Sequence, residues 1–388
     1  MRLSKLAAFV TRVNAAIILA VALGGAVTMA GPAQQAAPPP ARSSVGSVAP
    51  NIQNSRINQQ AATGSLDAQV KSWVAQVTTP QWLGYVVPEV AGNRSMCCSG
   101  GDWNGNDCGT CRLENGDHGV NITRNDHDST VMLEGSREIA VLFRAENHEI
   151  KKIRVASTEC TLDAGGLPFV WVTNVKPSES VAFLSTFVRN ERADFRDSDD
   201  RHGHQALSAI ALHADDSGES ALESFVQPSM PEELRKQTAF WLGEARGKAG
   251  FLALQKMAKS DPSSEVRSQV TFALSVSREP GAVDEMIRMA HDDESTHVRG
   301  QALFWLAQKA GKKEAAAITN AIENDPDTEV KKKAVFALSQ MPKDEGVPKL
   351  IEVAQNNRNP AVRKQAMFWL GQSNDPRALA FFEKVLSQ

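Results

Sequence analysis

The chain has 388 residues, with 42 Lys and Arg against 45 Asp and Glu, a formal net charge of -3 and 42% hydrophobic residues. Residues 66–200 carry 20 acidic and 13 basic side chains, and residues 201–388 carry 25 and 24. Neither region has the cationic excess that binding to a phosphate backbone requires, so nucleic acid is excluded as an expected partner.

The chain opens Met1-Arg2-Leu3-Ser4-Lys5, with Arg12 following, and then runs apolar from Val13 to the small-residue triplet Thr28-Met29-Ala30. Residues 1–30 therefore predict a signal peptide and a periplasmic or secreted protein. Cleavage after the triplet leaves no stable membrane insertion, while the length of the run also permits an uncleaved anchor. No cysteine stands directly after the run, so a lipid-anchored precursor is not expected. Residues 31–65, rich in Ala, Pro, Gln and Ser, have too little large apolar surface to fold and predict a disordered linker.

From 66 to 177 the pattern is strand-like. Ile139, Val141 and Phe143, then Ile153 and Val155, then Phe169 and Trp171 alternate with polar residues between turn signals at Glu146-Asn147-His148 and Asp163-Ala164-Gly165-Gly166, predicting a small antiparallel β meander. All five cysteines of the chain lie here: Cys97, Cys98, Cys108, Cys111 and Cys160. In an exported chain this clustering points to structural disulfides, with Cys160 a natural partner for Cys97 or Cys98 and one thiol left over. A zinc site on the four clustered cysteines is the alternative, and Cys108-Gly109-Thr110-Cys111 has the spacing of a redox dithiol without the strand and helix that such chemistry uses. Asp102-Trp103-Asn104-Gly105-Asn106-Asp107 starts like a calcium loop, but Asp stands where Gly is needed and the closing acid, Glu114, comes one place late. His202, His204, His213, Asp215 and Asp216 lack a third ligand at a defined spacing, so no metal or other cofactor is expected.

Ser178 to Glu191 carries Val181, Leu184, Phe187 and Val188 at helical spacing and predicts a helix that caps the first hairpin of a repeat domain. The repeats have a period of 32 residues. Leu234, Val266, Val298, Val330 and Val362 recur at it, as do Phe240, Phe272, Phe304, Phe336 and Phe368, and Leu242, Leu274, Leu306, Leu338 and Leu370. Within one unit, turn chemistry at Asp261-Pro262-Ser263-Ser264 precedes a helix with Val266, Val270, Ala273 and Leu274 on one face. A break at Glu279-Pro280-Gly281 then precedes a second helix with Val283, Met286 and Ala290 facing inward. Such hairpins bury their apolar faces only by stacking. The column seven residues after the Val position alternates smallest and largest, Ala209, Trp241, Ala273, Trp305, Ala337, Trp369, which predicts interlocked pairs of repeats with the Trp filling volume beside the Ala.

Asp261-Pro262 with Val266-Arg267, Asp325-Pro326 with Val330-Lys331, Asn359-Pro360 with Val362-Arg363, and His297-Val298-Arg299 stand in one register that resembles the HEAT repeat, most closely the short bacterial form named after phycobilisome lyases. A degenerate copy begins near His202, with Gln205, Ala206 and Ile210 in the columns of Gln237, Thr238 and Leu242. The resemblance covers about 185 residues and implies a right-handed superhelix of helical hairpins over 178–388, an all-α solenoid preceded by the β-rich module. An exported chain does not suit the cytoplasmic bilin chemistry that the family's name suggests.

No nucleophile elbow, phosphate loop or metalloprotease helix occurs. The expected function is therefore a non-enzymatic exported scaffold that holds a protein or extended peptide on the concave face of the solenoid. The alternative is a metal-binding or thiol-redox protein that uses the solenoid to dock its substrate. If the Phe side chains are half exposed, Phe240, Phe272, Phe304, Phe336 and Phe368 with Gln237, Gln269, Gln301 and Gln365 form a groove for an extended peptide or glycan. Packing between repeats is the structural alternative for these rings.

Overall fold

The computed structural model describes residues 49–92, 94–95, 111–114, 123–124, 138–190, 202–309 and 311–387. The expected signal peptide, most of the linker, Cys97, Cys98, Cys108 and the calcium-like loop lie outside them. Residues 49–65, expected as disordered linker, instead carry β1 (Ile52–Gln53) and β2 (Ile57–Ala61), because each has a strand to pair with. Ser65 then caps α1 (Leu66–Val74) by accepting from the Ala68 amide, and Leu66 and Val70, four apart, are buried on its inner face.

The remaining strands are β3 (Gln81–Pro88), β4 (Arg94–Ser95), β5 (Cys111–Arg112), β6 (Thr123–Arg124), β7 (Glu138–Glu146), β8 (Glu149–Ser157), β9 (Leu162–Asp163) and β10 (Phe169–Thr173). β3, β7 and β8 form the expected antiparallel run. The module as a whole is not a meander: the five-stranded order is β2-β10-β3-β7-β8, with β10 inserted parallel to both β2 and β3, and β1, β9 and β5 make a second, parallel sheet. Parallel neighbours need crossovers. The segment through α1 joins β2 to β3, and the segment through β9 returns the chain from β8 to β10.

Both sheet faces are buried. Ile139, Val141, Phe143, Ile153, Val155, Val170 and Val172 face one core, while Trp82, Ala140, Leu142, Phe169 and Trp171 join Cys111, Leu113, Cys160 and Leu162 in a second. Strands buried on both sides read as near-continuous apolar runs, as in Ile139–Phe143. Gly84 makes the second core possible, since a Cβ there would fall 2.7 Å from Leu142 Cδ2 and 3.0 Å from the Trp171 ring.

α2 (Pro177–Asn190) follows the sheet, burying Val181, Leu184 and Val188, and leads to six helical hairpins: α3 (His202–Leu212) with α4 (Asp216–Phe225), α5 (Glu232–Ala245) with α6 (Gly247–Ser260), α7 (Ser264–Val276) with α8 (Ala282–Asp292), α9 (Thr296–Lys309) with α10 (Lys312–Asn324), α11 (Thr328–Gln340) with α12 (Lys343–Asn356), and α13 (Pro360–Gln372) with α14 (Pro376–Leu386). Leu234, Val266, Val298, Val330 and Val362 are buried, as are Leu242, Leu274, Leu306, Leu338 and Leu370. The first helices of successive hairpins pack broadly against one another and the second helices much less, so the first helices form the inner layer of the solenoid. They approach closely at Gly243, where a Cβ would lie 2.1 Å from the Ala273 carbonyl oxygen.

One apolar core runs from the sheet through α2 and on through all six hairpins. The change at 177/178 is therefore a change of architecture without a break in the core. Backbone bonds reinforce it: the Val90 amide donates to the Leu212 carbonyl and the Ala214 amide to the Pro88 carbonyl, each at 2.9 Å.

Candidate functional site

Three arrangements of side chains stand out above simple packing, two buried and one at the surface. The first begins at the turns between hairpins. Asp261, Asp293 and Asp325 each accept from the backbone amide two residues on, closing the turn that starts the next hairpin. Each also takes a two-pronged bond from the arginine 26 residues earlier, Arg235, Arg267 and Arg299, at 2.8 to 3.2 Å. The same arginines reach backward as well: Arg267 Nη1 donates to the Asp261 carbonyl and Arg299 Nη1 to the Asp293 carbonyl, both at 2.8 Å. The Val-Arg motif thus supplies an inward apolar residue and a charged tie between consecutive turns. The tie changes where both partners change: Lys331 donates instead to the Glu323 carbonyl, and Asn357 stands at the Asp position.

A second buried arrangement joins the sheet, α2 and the first hairpin. His213 is fully buried; its Nδ1 lies 2.7 Å from the Ala209 carbonyl, its Nε2 2.9 Å from Ser180 Oγ, and Ser180 Oγ 2.7 Å from the Tyr85 hydroxyl. A carbonyl only accepts, so Nδ1 carries the proton, Nε2 accepts from Ser180, and Ser180 accepts from Tyr85. Burial pushes the Tyr85 hydroxyl well above its ordinary range and holds His213 down to about 4; the bond to Ala209 and the charge of Asp215 partly offset the latter, and Arg246 adds to it. His213 is therefore a satisfied core histidine. His204 accepts from Gln237 Nε2 at 2.9 Å, and the ring of His202 lies 6.3 Å from that of Phe187. Among the described residues no group of three His, Cys, Asp or Glu is placed to hold a metal ion.

The surface arrangement is the aromatic columns of the inner layer. Phe240, Phe272, Phe304 and Phe336 are half-buried, Phe368 is 54% exposed, and Trp241, Trp305 and Trp369 are half-buried against the core. The Trp side chains do not simply plug the core beside Ala273 and Ala337, which are fully buried; each of the last two lies on the Phe of the preceding hairpin. Eight rings make one continuous ladder in the order Trp241, Phe240, Phe272, Trp305, Phe304, Phe336, Trp369, Phe368, with successive centroids 5.2, 5.9, 4.8, 5.0, 6.1, 4.9 and 5.0 Å apart. The contacts repeat every two hairpins, as the alternation of Ala and Trp does. Gln269, Gln301 and Gln365 flank the rings, half-buried, with Lys333 in the fourth place of the column, where it donates to the Thr296 carbonyl. The indole N–H groups of Trp305 and Trp369 are buried without a hydrogen-bond partner.

The two described cysteines, Cys111 and Cys160, are fully buried on the second core of the head, and no described cysteine is a free thiol. Trp82 Nε1 donates to Glu114 at 2.8 Å, and Arg144 bridges Glu114 and Glu146, pinning the segment after Cys111 to the sheet. Spacing alone gives no sign of this network or of the Tyr85–Ser180–His213 chain, since both join residues from distant parts of the sequence.

HEAT repeats match residues 219–307 and 315–388. Among solved structures, the chain is similar to human deoxyhypusine hydroxylase in complex with glycerol at 19% identity, over 53% of this chain and 77% of that one, with a TM-score of 0.23. It is similar to YibA of Escherichia coli at 20% identity, over 55% and 81%, with a TM-score of 0.34. It is likewise similar to the complex of CpcE and CpcF of phycocyanin lyase from Nostoc at 17% identity, over 54% and 80%, with a TM-score of 0.29. No curated protein sequence matches the chain.

Proposed function

We propose that this is an exported interaction protein whose inner-layer ladder holds an extended segment of a protein partner, with the β module as its rigid N-terminal head. The carrying observation is the ladder itself: eight aromatic rings lie in one continuous line of contacts, partly exposed along the inner layer and ending at Phe368, which is 54% exposed. HEAT-repeat solenoids typically serve as protein-interaction scaffolds, and the near balance of charge here suits a neutral segment. Disulfide staples in the head and an oxidising compartment are part of this proposal, and the burial of Cys111 and Cys160, neither a free thiol, is what such staples would give. Neither of these two cysteines is an exposed reactive thiol. A mature N-terminus beginning after Ala30 in protein recovered outside the cytoplasm tests the export reading. Replacing Phe304 and Phe336 with Ala tests the binding face: partner capture is lost while the thermal midpoint falls only slightly. Retained capture, or a collapse of stability, would assign the ladder to packing.

A further inference from the structure

The five-stranded sheet of the head has two edges, and they are built differently. β8 carries Glu149, Lys151, Lys152 and Arg154 along its length, and α3 packs beside it. Charge and cover are the usual guards of an edge strand. β2, at the other edge, has neither. Residues 57–65 hold no charged side chain and no proline, and β2 is exposed along its length except at half-buried Gln60. Among the described residues no strand pairs with its outer side, and Ile57 is 45% exposed there. Hydrogen bonding fixes which groups this edge presents. The Phe169 amide donates to the Arg56 carbonyl at 3.0 Å and the Ala62 amide to the Thr173 carbonyl at 2.8 Å, in the register that pairs Ile57 with Phe169 and Ala61 with Thr173. In a parallel ladder of this phase Arg56, Asn58, Gln60 and Ala62 bond to β10, while Ile57, Gln59 and Ala61 turn both backbone groups outward. Of these, the Ala61 carbonyl accepts from Gln69 Nε2 at 3.4 Å.

These outward groups are symmetric about Gln59. An antiparallel copy of the same strand centred there sets Gln59 opposite Gln59, Ile57 opposite Ala61 and Asn58 opposite Gln60. Gln59 with its copy, and Ile57 with Ala61 on either side, then fall at the hydrogen-bonded positions of an antiparallel ladder, so every outward N–H and C=O gains a partner. The facing side chains match as well, apolar with apolar and amide with amide, and Arg56 comes opposite Ala62 rather than a like charge. We infer that β2 is a self-association edge, which joins two copies of this chain about a two-fold axis at Gln59 into one continuous sheet. A strand of five residues buries little area, so a dissociation constant of about 1–100 µM is expected. The inference stands apart from the ladder reading.

The test is sedimentation equilibrium of the full chain from about 1 to 200 µM, for the parent and three variants at position 59. Gln59→Pro removes an outward N–H and leaves every bond to β10 in place, as an edge strand allows. Gln59→Lys and Gln59→Glu each set like charges opposite one another across the axis, and an equimolar mixture of the two sets opposite charges there. The parent is expected to dimerise and Gln59→Pro to stay monomeric. Each charged variant alone should associate at least about fivefold more weakly, and the mixture should recover the parent's affinity. Circular dichroism reports the fold, and if Gln59→Pro disturbs it the charged pair decides. A parent that stays monomeric to about 200 µM overturns the proposal and leaves the edge to a strand of another protein. A dimer that survives Gln59→Pro, or that both charged variants weaken without recovery on mixing, overturns it too, because residue 59 then does not meet its own copy.

Discussion

Arg267 and Asp293, 26 residues apart in the chain, are held as a two-pronged pair at 2.8 and 3.1 Å, with both side chains more than nine-tenths buried. The guanidinium pKa is raised, first by its bond to Asp293, against the opposing effect of burial. A buried pair of this kind adds little over an apolar replacement, but losing one member strands the other charge. Arg267→Ala is therefore expected to cost about 3–5 kcal/mol in urea unfolding. Replacing both residues together, Arg267→Met with Asp293→Leu, should recover most of that loss. Equal losses in the single and double variants would show that the pair is not the cause.

The same ladder of ties is incomplete at Lys331 and Asn357, which hold the places of Arg and Asp. Lys presents a point charge where the site is built for a planar fork. Lys331→Arg with Asn357→Asp should complete the series and raise stability by about 1 kcal/mol, because bonds to charged groups exceed neutral ones. Each single change should gain less than the pair. A double-mutant cycle read by thermal midpoint, with no coupling between the two sites, would refute it.

The Tyr85–Ser180–His213 chain makes the junction of head and solenoid sensitive to acid. Folded His213 titrates at about 4, whereas an unfolded histidine titrates near 6.5. Between these values the unfolded chain binds a proton that the folded chain refuses, so stability is full above about 6.5 and falls as the pH drops toward 4. The loss attributable to this group is about 3 kcal/mol across that window. His213→Asn is expected to flatten this part of the profile, measured as unfolding free energy against pH. Ser180→Ala, which strands both the Tyr85 hydroxyl and His213 Nε2, should cost about 2–4 kcal/mol at pH 7. An unchanged slope in the His213 variant would assign the acid sensitivity to other groups.

Sequence and structure agree where information is local and repeated. The buried Val and Leu columns come from a period that places one residue type on one helical face in hairpin after hairpin. The head is legible only in part. The antiparallel hairpin of β7 and β8 is visible in Ile139, Val141, Phe143, Ile153 and Val155, yet nothing near Phe169 says that β10 will lie parallel between β2 and β3. That placement depends on α1 and β2, in and beside a stretch whose composition reads as linker, and strand order is set by pairing across about 110 residues rather than by propensity. The candidate site is half legible. Its Phe and Gln columns stand out in the sequence, but the Trp column joins them only because the rings of Trp305 and Trp369 lie on the Phe of the preceding hairpin.

The difference between ladder and core can be read from two residues of one helix. Leu306 and Phe304 both lie on α9, but Leu306 is fully buried while Phe304 is half-buried with its ring against Trp305 and Phe336. Leu306→Ala leaves a cavity between hairpins and is expected to cost about 2–5 kcal/mol. Phe304→Ala truncates a ring that is partly exposed and already wetted on one side, so about 1–2 kcal/mol is expected. The measurement is urea unfolding of both variants with the denaturant slope held as a check on cooperativity. A cost for Phe304→Ala equal to that of Leu306→Ala would place the Phe column in the core. A clearly smaller cost leaves those rings free to be kept for binding, since eight aromatic side chains are then more than the stack requires.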